Sequence, residues 1–109
     1  MDQINYDEIE VVNNSQTHRI EAQVGEYLAH IEYILDKEYI IFTHTRVPDA
    51  IGHQGVAGMM AHFALEYAKS NELKVIPQCP FVAGYIHIHP KYQALVWDPR
   101  AQANNSAAS

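Results

Sequence analysis

The chain is short of cysteine, tryptophan and basic residues: one Cys, one Trp and seven Lys and Arg in 109 residues. A lone cysteine excludes a disulfide framework and a cysteine-rich zinc site. Thirteen acidic residues against seven basic ones leave a net charge of −6, which argues against a basic nucleic-acid face. No apolar run exceeds a few residues, too short for a membrane-spanning helix. The opening Met1-Asp2-Gln3-Ile4-Asn5 lacks the basic flank and hydrophobic stretch of a secretory signal. The expectation is a cytoplasmic protein with neither nucleic-acid nor membrane partners, in which the Asn-x-Ser matches at Asn13 and Asn104 are chance.

What remains is an ordinary globular composition, 48% apolar. A chain of this size buries roughly 65% of its unfolded surface, enough for one core and not two. We expect one domain over residues 1–97 and a mobile tail over 98–109, where Ala, Asn and Ser offer nothing to bury. Charge is unevenly spread. Residues 1–38 hold nine acids and two bases, whereas residues 39–109 hold four acids and five bases. A polyanionic ligand is therefore better tolerated by the second half.

The first half has the period of strands. From Thr17 to Val24, His18, Ile20, Ala22 and Val24 alternate with Thr17, Arg19, Glu21 and Gln23. After a Gly25-Glu26 turn, Tyr27, Ala29, Ile31, Tyr33 and Leu35 share a face. Tyr39 to Val47 begins apolar on both faces, as a central strand does, and a shorter strand lies around Ile9 to Val12. Together they predict an antiparallel meander of about four strands. The period then changes. Val56, Met60, Phe63 and Tyr67 form one helical stripe, with Met59 and Ala64 beside it, within a helix from about Gln54 to Ser70. Leu73 to Ile76 is a short strand. A strand, a helix and a strand in succession predict a parallel crossover. A second helix begins at Pro80, packs Phe81, Val82, Tyr85 and Ile86, and stops at Pro90. A last turn covers Tyr92 to Val96. The fold class is α/β: a mixed sheet made of an antiparallel meander, a β-α-β crossover and a short C-terminal helix.

Two local features carry chemistry. Gly52, Gly55 and Gly58 crowd the start of the main helix, although each glycine inside a helix costs about 1 kcal/mol relative to Ala. Bare backbone there lets a phosphate reach the free N–H groups at the positive end of the helix dipole; close packing of helix on sheet is the other explanation. Neither a Walker loop nor a Rossmann fingerprint fits. Cys79 precedes Pro80, a residue favoured at the first position of a helix. A thiol at a helix start has its pKa lowered and can act as a nucleophile, though a lone cysteine is commonly an inert core residue.

Gln54-Gly55-Val56-Ala57 resembles the end of the Q/R-x-x-G-x-G/A motif of the GNAT N-acetyltransferase superfamily. The fuller resemblance is to a minimal single-domain branch, through His44-Thr45-Arg46-Val47-Pro48, Leu73-Lys74-Val75-Ile76-Pro77, Cys79-Pro80-Phe81-Val82 and His89-Pro90-Lys91-Tyr92. It covers about residues 17–96. It implies a GNAT-like fold that binds acetyl-coenzyme A as co-substrate and transfers the acetyl group to an amine. It assigns the pyrophosphate to a loop of His53, Gln54, Gly55, Val56, Ala57 and Gly58, and matches the branch's cysteine to Cys79. It suggests Tyr85 as proton donor to the departing thiolate. Val47 supplies a backbone N–H for the thioester oxygen, and His44, near neutral in pKa, is a candidate general base. Direct attack by the amine and transfer through an acetylated Cys79 both remain open.

The sequence departs from the branch in two places. The motif's opening Gln or Arg falls on Gly52, and Arg46 stands where a Glu is common, so no carboxylate base is available there. A non-catalytic coenzyme A or acyl-coenzyme A binding module is therefore the alternative. A partner protein that keeps the fold without the cofactor is a third. Lys69, Lys91 and Arg46 are candidates for the coenzyme's 3′-phosphate. His87 and His89 diverge if they lie on a helix end, so no metal site is expected. The acceptor is an unspecified amine, with protein or peptide amines and a homo-oligomeric arrangement all compatible.

Overall fold

The computed structural model describes residues 9–52 and 54–97. The expected tail over 98–109 and the loop residue His53 lie outside them. The described residues form a five-stranded sheet in sequential order: β1 (Glu10–Asn14), β2 (Arg19–Val24), β3 (Tyr27–Asp36), β4 (Tyr39–Arg46) and β5 (Lys74–Pro77). The first four strands are antiparallel, and β5 joins β4 in parallel. Helix α1 (Val56–Ser70) links β4 to β5, and α2 (Pro80–Ile88) follows β5. A 3-10 turn spans Asp49–Ile51 and another Pro90–Leu95. This is the expected mixed α/β architecture. Among the described residues, no helix is long and apolar enough to cross a membrane.

The alternation predicted for β2 starts two residues late. His18 has φ of 57° and sits exposed in the turn, so it does not share the inward face of Ile20 and Ala22. On β3, Ala29, Ile31 and Tyr33 are buried, whereas Tyr27 and Leu35 at the ends are exposed. Beyond β3 the register slips. Glu32 faces His44 and Tyr33 faces Phe42, which leaves Thr43 as an extra residue on β4. Its Oγ1 donates to the Glu32 carbonyl at 3.3 Å. A bulge of this kind reverses the strand's inside-outside phase.

Both helices lie on one face of the sheet. Ile20, Ala22, Ala29, Ile31, Ile40, Phe42 and Val75 present that face to Val56, Met60, Ala61, Ala64, Leu65 and Ala68 of α1 and to Val82 and Ile86 of α2. The buried stripe of α1 is rotated from the predicted one. Phe63 and Tyr67 are its half-buried margin, and Ala61, Leu65 and Ala68 are at its centre. Small residues on both layers explain the rotation: alanines at 61, 64 and 68 bring the helix close to Ala22 and Ala29, where ring side chains would not fit. Phe81 is likewise outside the buried core, exposed at its edge.

The opposite face carries no covering element among the described residues. Leu28 and Ile34 are exposed there, and Ile41 of β4 is only half-buried, so β4 is not covered on both sides as its apolar start suggested.

Close helix-to-sheet packing makes a direct prediction. Ala22→Leu adds volume where no space exists and should destabilise the fold by about 1–3 kcal/mol, lowering the melting temperature by several degrees. An unchanged melting temperature would show that the interface is loose.

Candidate active site

The ladder between β4 and β5 is short. It ends with Phe42 opposite Pro77, and its last rung is the Cys79 N–H donating to the Phe42 carbonyl at 2.8 Å. Pro80 then starts α2, turning the chain away while β4 continues to Arg46. The two strands therefore part at Cys79, β4 running on as a strand while the other chain segment enters α2.

Cys79 is the N-cap of α2 and only 2% exposed. Across the opening, Thr45 Oγ1 lies 2.9 Å from its Sγ, close enough for either to donate to the other. Thr45 reaches the helix side because of the bulge at Thr43. Without it, period-two alternation would put His44 beside Phe42 and Ile40 and turn Thr45 outward. The structure thus brings Thr45, not His44, to the cysteine. His44 projects from the open face with Arg46, opposite Glu32 and His30 of β3. His30 is 8% exposed, its Nε2 lies 3.0 Å from Glu32 Oε2, and its ring centroid lies 6.5 Å from that of His44.

Just past β4, Val47 is half-buried, and the chain turns through Asp49–Ile51 and Gly52 toward α1. Gly55 caps α1 with φ of 77°, the left-handed region where a Cβ is costly. The capping residue has no side chain to offer, and the first turn holds no acidic residue. Among the described residues, the first-turn amides of Val56, Ala57 and Gly58 meet no side-chain acceptor. Val56 is buried, Ala57 and Gly58 half-exposed, and Gln54 half-buried in the preceding turn. Lys69 lies 14 residues beyond Gly55, about 20 Å along the helix, which removes it from the loop's neighbourhood. Lys91 sits over the Tyr92 ring, 5.1 Å from its centroid.

Tyr85 occupies the seam between the helices. It stacks on His89 at 4.1 Å between centroids and packs at 6.4 Å from Phe81. A Cβ placed on Gly58 would lie 3.9 Å from Tyr85 Cε2. Burial, then the charge of Glu66, raise the Tyr85 pKa, so the phenol keeps its proton at neutral pH. Behind it Tyr92 is buried and donates to Glu66 Oε2 at 2.7 Å. That hydrogen bond is the main cause holding Glu66 below the usual carboxylate range. Thr45 and the Tyr92–Glu66 pair escaped the sequence reading, which had no signal for a bulge or for contacts between distant helices.

A family model described as GCN5-related N-acetyl-transferase matches residues 19–95. The chain belongs to that family. Membership makes it an acyltransferase of the N-acetyltransferase class. The protein is also similar to the NMR solution structure of a "GCN5-like putative N-acetyltransferase" from Staphylococcus aureus. The TM-score is 0.64 at 28% identity, covering 81% of this chain and 87% of that one. No curated protein matches the chain.

Opposite outcomes are expected at the two helix-start glycines. Gly55→Ala forces a Cβ into a left-handed residue and should cost about 1–2 kcal/mol. Gly58→Ala meets only ordinary contacts and should gain up to about 1 kcal/mol of helix propensity. Thermal melts of the two variants check this, and a shift in the same direction would contradict the cap geometry. Glu66, with its depressed pKa, contributes stability that is complete above the unfolded-state carboxylate value and fades as pH falls through the folded one. Removing the phenol in Tyr92→Phe should therefore flatten the acid limb of the melting temperature against pH.

Proposed function

We propose that this protein binds acetyl-coenzyme A at the first turn of α1 and transfers the acetyl group to an amine. The observation carrying the proposal is the start of α1 itself: a left-handed Gly55, no side-chain cap and no acidic residue, beside the place where β4 and β5 part. Backbone amides and the positive end of the helix dipole suit a diphosphate. Gln54, Gly55, Val56, Ala57 and Gly58 form the cradle; His53, which the resemblance also assigns to this loop, lies outside the described residues. The Val47 N–H, at the free end of β4, polarises the thioester oxygen.

Direct attack by the amine fits the geometry better than an acetyl-cysteine intermediate, because the Cys79 thiol is enclosed and already in contact with Thr45. As the amine nitrogen bonds to the acetyl carbon, the carbon–sulfur bond breaks. The departing thiolate takes a proton from the half-buried Thr45 Oγ1, which in turn takes one from the enclosed Cys79 thiol, and solvent restores that proton by the same route. Tyr85, protonated and next to Gly58, is the alternative donor. An amine approaching from the open face meets His44, which accepts the proton the amine must lose. Arg46, exposed on that face, favours a second reading in which the protein binds the coenzyme without turnover.

Ala57→Asp separates these ideas. An acid in the first turn suits the helix dipole and should leave the melting temperature unchanged or higher, yet weaken coenzyme A binding at least tenfold by calorimetry. Equal affinity in the variant would place the cofactor elsewhere. Cys79→Ala should lower kcat by about 10²–10⁴ with coenzyme A affinity retained. Mass spectrometry of the wild type with acetyl-coenzyme A alone should find no acetyl adduct on Cys79, and finding one would select the two-step route.

A further inference from the structure

On the solvent-facing side of α1 lies a cavity of about 650 Å³, within the size range of small-molecule sites. One side is apolar, formed by Ile9, Val11, Met59 and Phe63; the other carries His62, Glu66 and Tyr85, and Gly58 also lines it. Ile9 precedes residue 19, where the family match starts, whereas Met59 and Phe63 lie within it.

Hydrogen bonding fixes the character of the polar side. The Tyr92 hydroxyl has one proton and donates it to Glu66 Oε2 at 2.7 Å. Its 3.0 Å contact with His62 Nδ1 must then run the other way, with the imidazole N–H donating to the phenol oxygen. That puts a proton on Nδ1, and in the neutral ring Nε2 keeps its lone pair. Tyr92 engages Oε2 alone, so Oε1 remains for a ligand. A hydrogen bond from a buried phenol keeps the carboxylate ionised and fixed in place. The cavity therefore offers acceptors and negative charge at one side, an aromatic ring from Tyr85 beside them, and hydrocarbon opposite. Phosphate is repelled by this combination. A primary ammonium on an apolar body satisfies it, with hydrogen bonds to the carboxylate and imidazole and its charge beside an aromatic face.

We propose that this cavity, which adjoins the coenzyme loop at Gly58, is a second binding site, centred on Glu66, for a hydrophobic or aromatic primary amine. An ammonium held at Glu66 sits two turns along α1 from Gly58, about 12 Å, and is not the nitrogen that attacks a thioester at the β4–β5 opening. The site thus stands whether or not the acetyl-transfer reading does.

The test is titration of the full-length protein at neutral pH with 2-phenylethylamine and with 2-phenylethanol, its neutral counterpart, followed by amide NMR shifts. Saturable shifts at Met59, His62 and Phe63 are expected with the amine, and at least tenfold weaker binding with the alcohol. Glu66→Gln keeps an oxygen for Tyr92 but loses the charge. It should weaken the amine at least tenfold, bring it level with the alcohol and leave coenzyme A titrations unchanged. Absence of saturable shifts, equal affinity for amine and alcohol, or full affinity in Glu66→Gln would each overturn the proposal.

Discussion

The site depends on where the β4–β5 ladder stops. The bond from the Cys79 N–H to the Phe42 carbonyl is its final rung, and Pro80 at once commits the chain to α2. One strand beyond that rung keeps going and the other becomes a helix. The opening created there needs no loop to prop it apart. It is held by two rigid elements anchored in the same core, Phe42 and Val75 on the sheet and Val82 and Ile86 on the helix. The bulge at Thr43 then decides which side chains of β4 look into the opening and which look away.

This division gives the two faces of the sheet different chemistry. On the helix side are small, uncharged groups and backbone amides: Thr45, Cys79 and the uncapped first turn of α1. On the open side are His30, Glu32, His44, Arg46, Arg19 and Glu21, a dense set of titratable groups. An acyl donor rich in phosphate is accommodated by the first, and a group that must lose a proton by the second. Farther along α1, Glu66 reverses the sign of the field, so the same helix that favours an anion at its start favours a cation midway. Among the described residues, the first half's Glu10, Glu21, Glu32 and Asp36 follow the same partition, since they lie on strands β1 to β3.

Much of this was legible in the residues themselves. The meander, the crossover helix and the helix after Cys79-Pro80 followed from period and punctuation, because those signals are local. The glycines at 55 and 58 marked the helix start as locally unfavourable, but the left-handed cap at Gly55 is visible only in the structure. What was not legible came from non-local geometry. A single extra residue in β4 moved His44 to the open face and Thr45 to the cysteine, and nothing in the strand Tyr39-Ile40-Ile41-Phe42-Thr43-His44-Thr45 marks which residue bulges. The stripe of α1 was drawn through its largest apolar residues, whereas the packing chose the alanines that let the helix approach the sheet. Tyr92 looked like part of a closing turn, and its partners Glu66 and His62 are 26 and 30 residues away.

The central claim is that the backbone amides at the start of α1 hold the coenzyme. Nitrogen-15 amide spectra of the intact protein recorded with increasing coenzyme A address it residue by residue. The expected result is that Val56, Ala57 and Gly58 shift most and saturate together, with Val47 following. Saturable binding that left these four amides unmoved, or no binding at millimolar coenzyme A, would contradict it.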